Sequence, residues 1–120
     1  MSPTLVVKLT WGAESPERVS QALSVAATAT SVGAQVSLWL TGEASFLAQP
    51  GTLERIQLPL APELPELLAG LLAFGSVTVC AQCAARRGIT EDSLLPGAGI
   101  AGTATFVEQA LAPDARVLVY

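Results

Sequence analysis

With 120 residues the chain is one domain's worth of sequence and can bury a core without disulfide staples. It is 51% hydrophobic but only 13% charged, against roughly 25% in ordinary soluble domains. No run reaches the ~18 apolar residues of a membrane-spanning helix, and a net charge of −4 without a Lys/Arg cluster argues against nucleic acid and anionic membrane as partners.

Thr4 to Leu9 is short, apolar and β-branched, which predicts a buried first strand. Residues 10–14 follow as a loop. Ser15-Pro16-Glu17 reads as a helix start, with Ser as N-cap, Pro where its missing N–H costs nothing, and an acid at the positive dipole end. The helix extends to about Val32, and Gly33 supplies the stop. Residues 35–40 predict the second strand. Thr41-Gly42-Glu43 opens a loop and a short helix to about Leu47, stopped by Gln49-Pro50-Gly51. The alternation Arg55-Ile56-Gln57-Leu58 suggests a short strand.

Pro59, Pro62 and Pro65 then hold the chain extended, and Pro65 opens a helix to about Phe74. Val77-Thr78-Val79 is a strand that runs straight into Cys80. One or two helical turns over 81–87 end at Gly88. Thr90-Glu91-Asp92 caps a further short helix, residues 96–99 read as a turn, 101–111 as a helix weakened by Gly102 and two Thr, and 116–120 as the last strand. Strands alternating with helices predict an α/β fold, a parallel sheet with helices on both faces. Ligands and chemistry in such sheets lie beyond the carboxyl ends of the strands. The loops at 10–14, 41–43 and 80–83 belong to that edge.

The chain contains no histidine, which removes a Ser-His or Cys-His nucleophile pair within one chain. Its two cysteines are Cys80 and Cys83. No basic region followed by an apolar stretch and cleavage site marks the N-terminus, so a cytoplasmic location is expected. There, such a pair reads as redox or sulfur chemistry rather than a structural staple. Cys80 precedes a helical turn whose unpaired N–H groups favour thiolate over thiol. Its alternative is a small buried hydrophobe.

Cys83, three residues on, is either a resolving thiol for Cys80 or an apolar contact of the helix. Two sulfurs fill half of a tetrahedral zinc shell, so no metal is expected. Gly97-Ala98-Gly99 lacks the strand-then-helix dinucleotide fingerprint, and no cofactor is expected either. Arg86 and Arg87 could add positive potential at Cys80 or act as ordinary helix C-terminal charges. Together with Trp11, Thr41 and Gly42 they are the candidates for touching a substrate. Trp11 and Trp39 flank the active edge, with packing the leading role for each. The carboxylates Glu14, Glu43, Glu91 and Asp92 read as caps and dipole compensation.

The stretch Cys80-Ala81-Gln82-Cys83-Ala84-Ala85-Arg86-Arg87-Gly88-Ile89 resembles the DsrE family, which takes in sulfur-relay subunits of the DsrE and TusD type and the YchN-like proteins. Members share a Cys, seven residues, then Gly, often with Arg before the Gly. The resemblance continues in Gly99-Ile100-Ala101-Gly102 with Phe106-Val107-Glu108, in Ser15-Pro16-Glu17-Arg18 and in Val36-Ser37-Leu38-Trp39-Leu40-Thr41-Gly42, and so covers essentially the whole chain.

It implies a three-layer α/β/α fold with a parallel sheet of about five strands, assembly into trimers or hexamers, and a persulfide-carrying role at the position of Cys80. Sulfur donor and acceptor proteins are the implied partners. Three functions follow: a persulfide carrier using Cys80, a dithiol–disulfide redox protein using Cys80 and Cys83, and a non-catalytic oligomeric module that binds a small ligand. The charge-poor surface independently suits a homo-oligomer.

Overall fold

A computed structural model describes residues 3–120. Its regular elements are β1 (Thr4–Leu9), α1 (Pro16–Ser31), β2 (Gln35–Leu40), α2 (Leu64–Phe74), β3 (Ser76–Cys80), α3 (Ala81–Arg86), β4 (Ala98–Ala101), α4 (Thr103–Ala110) and β5 (Ala115–Val119), with short 3₁₀ helices at Gly42–Ala48, Leu53–Arg55 and Glu91–Ser93. The five strands form one all-parallel sheet in the order β4-β3-β2-β1-β5.

Side chains alternate across a strand, so register assigns each residue to a face. One face carries Val7 and Leu9, Val36, Leu38 and Leu40, and Val77 and Val79. These pack against Val19, Ala22, Leu23 and Ala26 of α1 and Leu64, Leu68 and Leu71 of α2 in one continuous core. Removing each such Val or Leu side chain from water contributes roughly 1.5–3 kcal/mol. The small residues Ala22 and Ala26 let α1 sit close to the sheet while α2 packs beside it. Ser15 holds the N-cap position of α1 as expected, but its side chain makes no capping bond.

The opposite face carries Val6 and Lys8, Ser37 and Trp39, Thr78 and Cys80. Its cover is α4. Trp39 is buried and meets Phe106 edge-on at 5.5 Å. Gln109 Oε1 accepts hydrogen bonds from Ser37 Oγ at 2.7 Å and from Trp39 Nε1 at 2.8 Å. Helices on both faces make the expected α/β/α sandwich, and packing is indeed the role of Trp39.

Two local expectations are corrected. Residues 55–58 form no strand: Leu53–Arg55 is a 3₁₀ helix, and the chain beyond it leads into the proline-rich loop. The turn expected over 96–99 is confined to residues 96–97, and its second half and the helix start expected at 101 give way to β4, a short edge strand that pairs with β3 alone. The helix then begins at Thr103.

Candidate functional site

β3 stays extended through Cys80 (φ −62°, ψ 126°), and α3 begins at the next residue, so the thiol stands where a strand end becomes a helix start. On that face its neighbours are small. Cys80 pairs in register with Ala101, and Thr78 with Gly99. A Cβ built on Gly99 or Gly102 would meet nothing within 4 Å. Small residues on β4 therefore leave the sulfur beside open space, while α4 covers β1 and β2. Cys80 and Cys83 are both free and half-buried.

Burial of Cys80 opposes ionisation. Hydrogen bonds from the backbone N–H and thiol of Cys83 and from the backbone N–H of Gln82, together with the positive charge of Lys8, outweigh it. The net result holds the Cys80 thiol below the range of a free cysteine. A thiolate so placed can attack an electrophilic sulfur. Cys83 lies in the first turn of α3 and contributes to the hydrogen bonding that favours the Cys80 thiolate.

The remaining candidates are shared between this thiol pair and the loops around it. Arg87 Nε donates to Glu43 Oε2 at 2.9 Å, and Arg87 Nη1 donates to the Cys83 carbonyl at 3.1 Å. Arg87 thus fixes α3 to the Gly42–Ala48 helix. Glu43 accordingly holds an arginine, a role beyond the helix-end charge compensation expected of it. Arg86 is exposed in the last turn of α3.

The Trp11 ring is 39% exposed and is covered on one side by the Arg18 guanidinium at 4.4 Å. Thr41 continues the β2 backbone pairing, its N–H donating to the Leu9 carbonyl at 3.0 Å. Gly42 turns the chain with φ 55°, and a Cβ there would lie 3.1 Å from the Thr10 carbonyl. At Gly12 a Cβ would fall 2.5 Å from the Glu43 carbonyl oxygen. Gly12, Glu43, Arg87 and Cys83 are therefore linked in sequence across the edge, with Trp11 next to the first of them. Glu14 caps its own loop by accepting from the Gly12 N–H at 2.7 Å.

A recess of about 700 Å³ lies instead between Leu53 and Pro65, lined by prolines, apolar side chains and the acids Glu54 and Glu63. It contains neither cysteine and none of the other candidate site residues. Lys8 is the site residue that sequence reasoning missed. Only the strand order reveals that β1 and β3 share the face on which it stands.

The profile of the DsrE/DsrF-like family matches residues 5–120. The uncharacterized protein MJ0760 of Methanocaldococcus jannaschii is 30% identical over 108 residues, a match that covers 89% of this chain and 39% of that protein. The chain thus spans about two fifths of the length of this relative. The ychN protein from E. coli superposes with a TM-score of 0.71 at 21% identity, over 100% of both chains. The protein of unknown function MTH1491 from Methanobacterium thermoautotrophicum superposes with a TM-score of 0.76 at 10% identity, over 99% of this chain and 100% of the other. At these identities the superpositions establish a shared fold.

Proposed function

The chain belongs to the DsrE/DsrF-like family, and from that premise we propose that it carries sulfane sulfur on Cys80. The observation that carries the reading is a free, half-exposed thiol at a strand-to-helix junction, held below the usual cysteine range by hydrogen bonds to its sulfur. In the loading step the Cys80 thiolate attacks the outer sulfur of a persulfide donor R–S–SH. A bond forms between Cys80 Sγ and that sulfur, the donor's S–S bond breaks, and R–S⁻ leaves with the electron pair. Transfer to an acceptor thiolate repeats the exchange with the loaded cysteine as donor. No external oxidant enters, and no other side chain makes or breaks a bond.

Incubation with a persulfide donor followed by intact-mass and fragment mass spectrometry tests the proposal. A gain of one sulfur atom at Cys80, absent in Cys80→Ser, is expected. An unmodified Cys80 beside a control thiol that loads would overturn it.

A second reading is favoured by two free, half-buried thiols three residues apart at the start of α3. The pair would then cycle between dithiol and disulfide, two electrons passing to a disulfide substrate that leaves as two thiols. Cys83→Ser separates the readings, because a carrier still loads on Cys80 whereas the redox cycle stops at a mixed disulfide.

Association of copies belongs to the same proposal. Val107, Leu111 and Val119 stand exposed on or near the thinly covered side of the sheet, on a surface poor in charge. Light scattering is expected to give a trimer or hexamer, and a monomer at micromolar concentration would refute this part.

A further inference from the structure

We infer that Lys8, the chain's only lysine, is a positioning residue for Cys80: its ammonium, perched on Phe106 over an interior strand, supplies the positive charge that favours the anionic form of the sulfur. The inference rests on the reactive-thiol reading and names a residue which that reading does not require.

The placement is unusual for a charged side chain. β1 lies between β2 and β5, so Lys8 projects from an interior strand, with Val6 fully buried two residues before it on the same face. A lysine there has to direct its stem over apolar surface and find something for its head. Among the described residues no carboxylate lies within ion-pair distance of Lys8, since the one such pair is Arg87 with Glu43. The ammonium stands instead 5.2 Å from the centre of the Phe106 ring. Phe106 is itself fixed edge-on against Trp39, the residue paired in register with Lys8. The cation is therefore fastened in place without being neutralised.

Register then relates it to the thiol. Lys8 pairs with Trp39, Trp39 with Thr78, and Cys80 is two residues further along the same face. Two strand spacings across and two residues along put the Lys8 and Cys80 Cα atoms roughly 12 Å apart. With its ammonium over Phe106, Lys8 makes no hydrogen bond to Cys80, and its charge acts on the sulfur through space.

The intervening positions, Trp39 and Thr78, are uncharged, and so are Gly99 and Ala101 of β4 and Ser37 of β2. The other titratable groups on elements packed around β3 and β4 are Cys83, the exposed Arg86, the Arg87–Glu43 pair, Glu66 of α2 on the opposite face, and the exposed Glu91 and Asp92 of the short helix beside β4. On α4 the single acid, Glu108, is exposed. Among the described residues, Lys8 is thus the unpaired cation on the face that carries the thiol. A loaded persulfide is also an anion, and the same charge would hold it.

The test is the rate of Cys80 alkylation against pH in the full chain, read at Cys80 by fragment mass spectrometry, for wild type, Lys8→Met and Lys8→Arg. Lys8→Met is expected to slow alkylation near neutral pH on the order of threefold and to move the profile to higher pH, as removal of a charge several ångströms away in partly solvated space implies. Lys8→Arg should restore the wild-type profile, and the gap between wild type and Lys8→Met should narrow with added salt.

A merely structural lysine would alter melting temperature and leave the profile in place. If Lys8→Met does not fold, Lys8→Gln carries the same comparison. An unchanged profile in the neutral variant, with wild-type Cys80 still ionising below a free thiol, overturns the role of Lys8 and leaves the thiol reading intact. A wild-type Cys80 that ionises like a free thiol overturns the thiol reading itself.

Discussion

Arg87 reaches back from the end of α3 to Glu43, Nε to Oε2 at 2.9 Å, and ties the turn that carries Cys83 to the loop that follows β2. The pair is partly solvated, the side chains being 23% and 52% exposed. Exposed ion pairs contribute little because water screens the charges and ordering both side chains costs entropy. A double-mutant cycle with Arg87→Met and Glu43→Gln should therefore give a coupling below about 1 kcal/mol in urea unfolding. Arg87→Met alone should cost somewhat more than Glu43→Gln, because Arg87 also donates to the Cys83 carbonyl.

Gln109 holds α4 to the sheet in a different way. Its Oε1 accepts from both Ser37 Oγ and Trp39 Nε1, and both of those residues are buried. Gln109→Leu keeps the bulk and strands two donors away from water. Each orphaned donor costs about 1–3 kcal/mol. The variant should lose more stability in urea unfolding than Ser37→Ala, which removes a donor and leaves the Trp39 bond intact. Equal losses in the two variants would mean that the Trp39 bond contributes nothing.

What could be read from the sequence follows the strength of local signals. β1, β2 and β3 are dense in Val and Leu and are buried, so their composition marks them. β4 reads Ala-Gly-Ile-Ala, with Gly97 just before it, and glycine and alanine are poor strand formers. Its strand state comes from pairing with β3, a tertiary effect that local propensity does not carry. Arg55 to Leu58 errs the other way. The alternation is strand-like, but no partner edge awaits it and Pro59 follows.

The site divides similarly. Cys80 was legible because a strand visibly ends on it. Lys8 and Gln109 were not, since their roles depend on which strands are neighbours and on which face α4 lies.

Gly12 marks where the β1 loop meets the β2 loop. It is buried, and a methyl group there would sit 2.5 Å from the Glu43 carbonyl oxygen and 2.8 Å from its carbonyl carbon. Both are backbone atoms, so no rotamer change relieves the overlap and one loop has to shift. Gly12→Ala should destabilise by about 1–3 kcal/mol in urea unfolding, the usual cost of overpacking. It should also loosen the Arg87–Glu43 pair, so that adding Arg87→Met costs less in the Gly12→Ala background than in wild type. Additive losses would show that the two loops respond independently.

The ionisation of Cys80 makes a signed contribution to stability. Its folded-state pKa is lowered, with burial opposing the shift and the hydrogen bonds from Cys83 and Gln82 and the charge of Lys8 exceeding it. In the unfolded chain the thiol titrates like a free cysteine, at about 8.5. Between the folded value and that one, the unfolded state binds more protons than the native state, so stability rises with pH across the window. The contribution is complete above the free-thiol value and disappears as pH falls through the folded value.

Cys80→Ser removes the titrating group. Subtracting its urea-unfolding free energies from those of wild type, from pH 6 to pH 9, should leave a difference that grows in favour of wild type as pH rises. A flat difference would mean that Cys80 ionises equally in both states. A difference growing toward low pH would mean that burial wins and the native thiol is kept neutral.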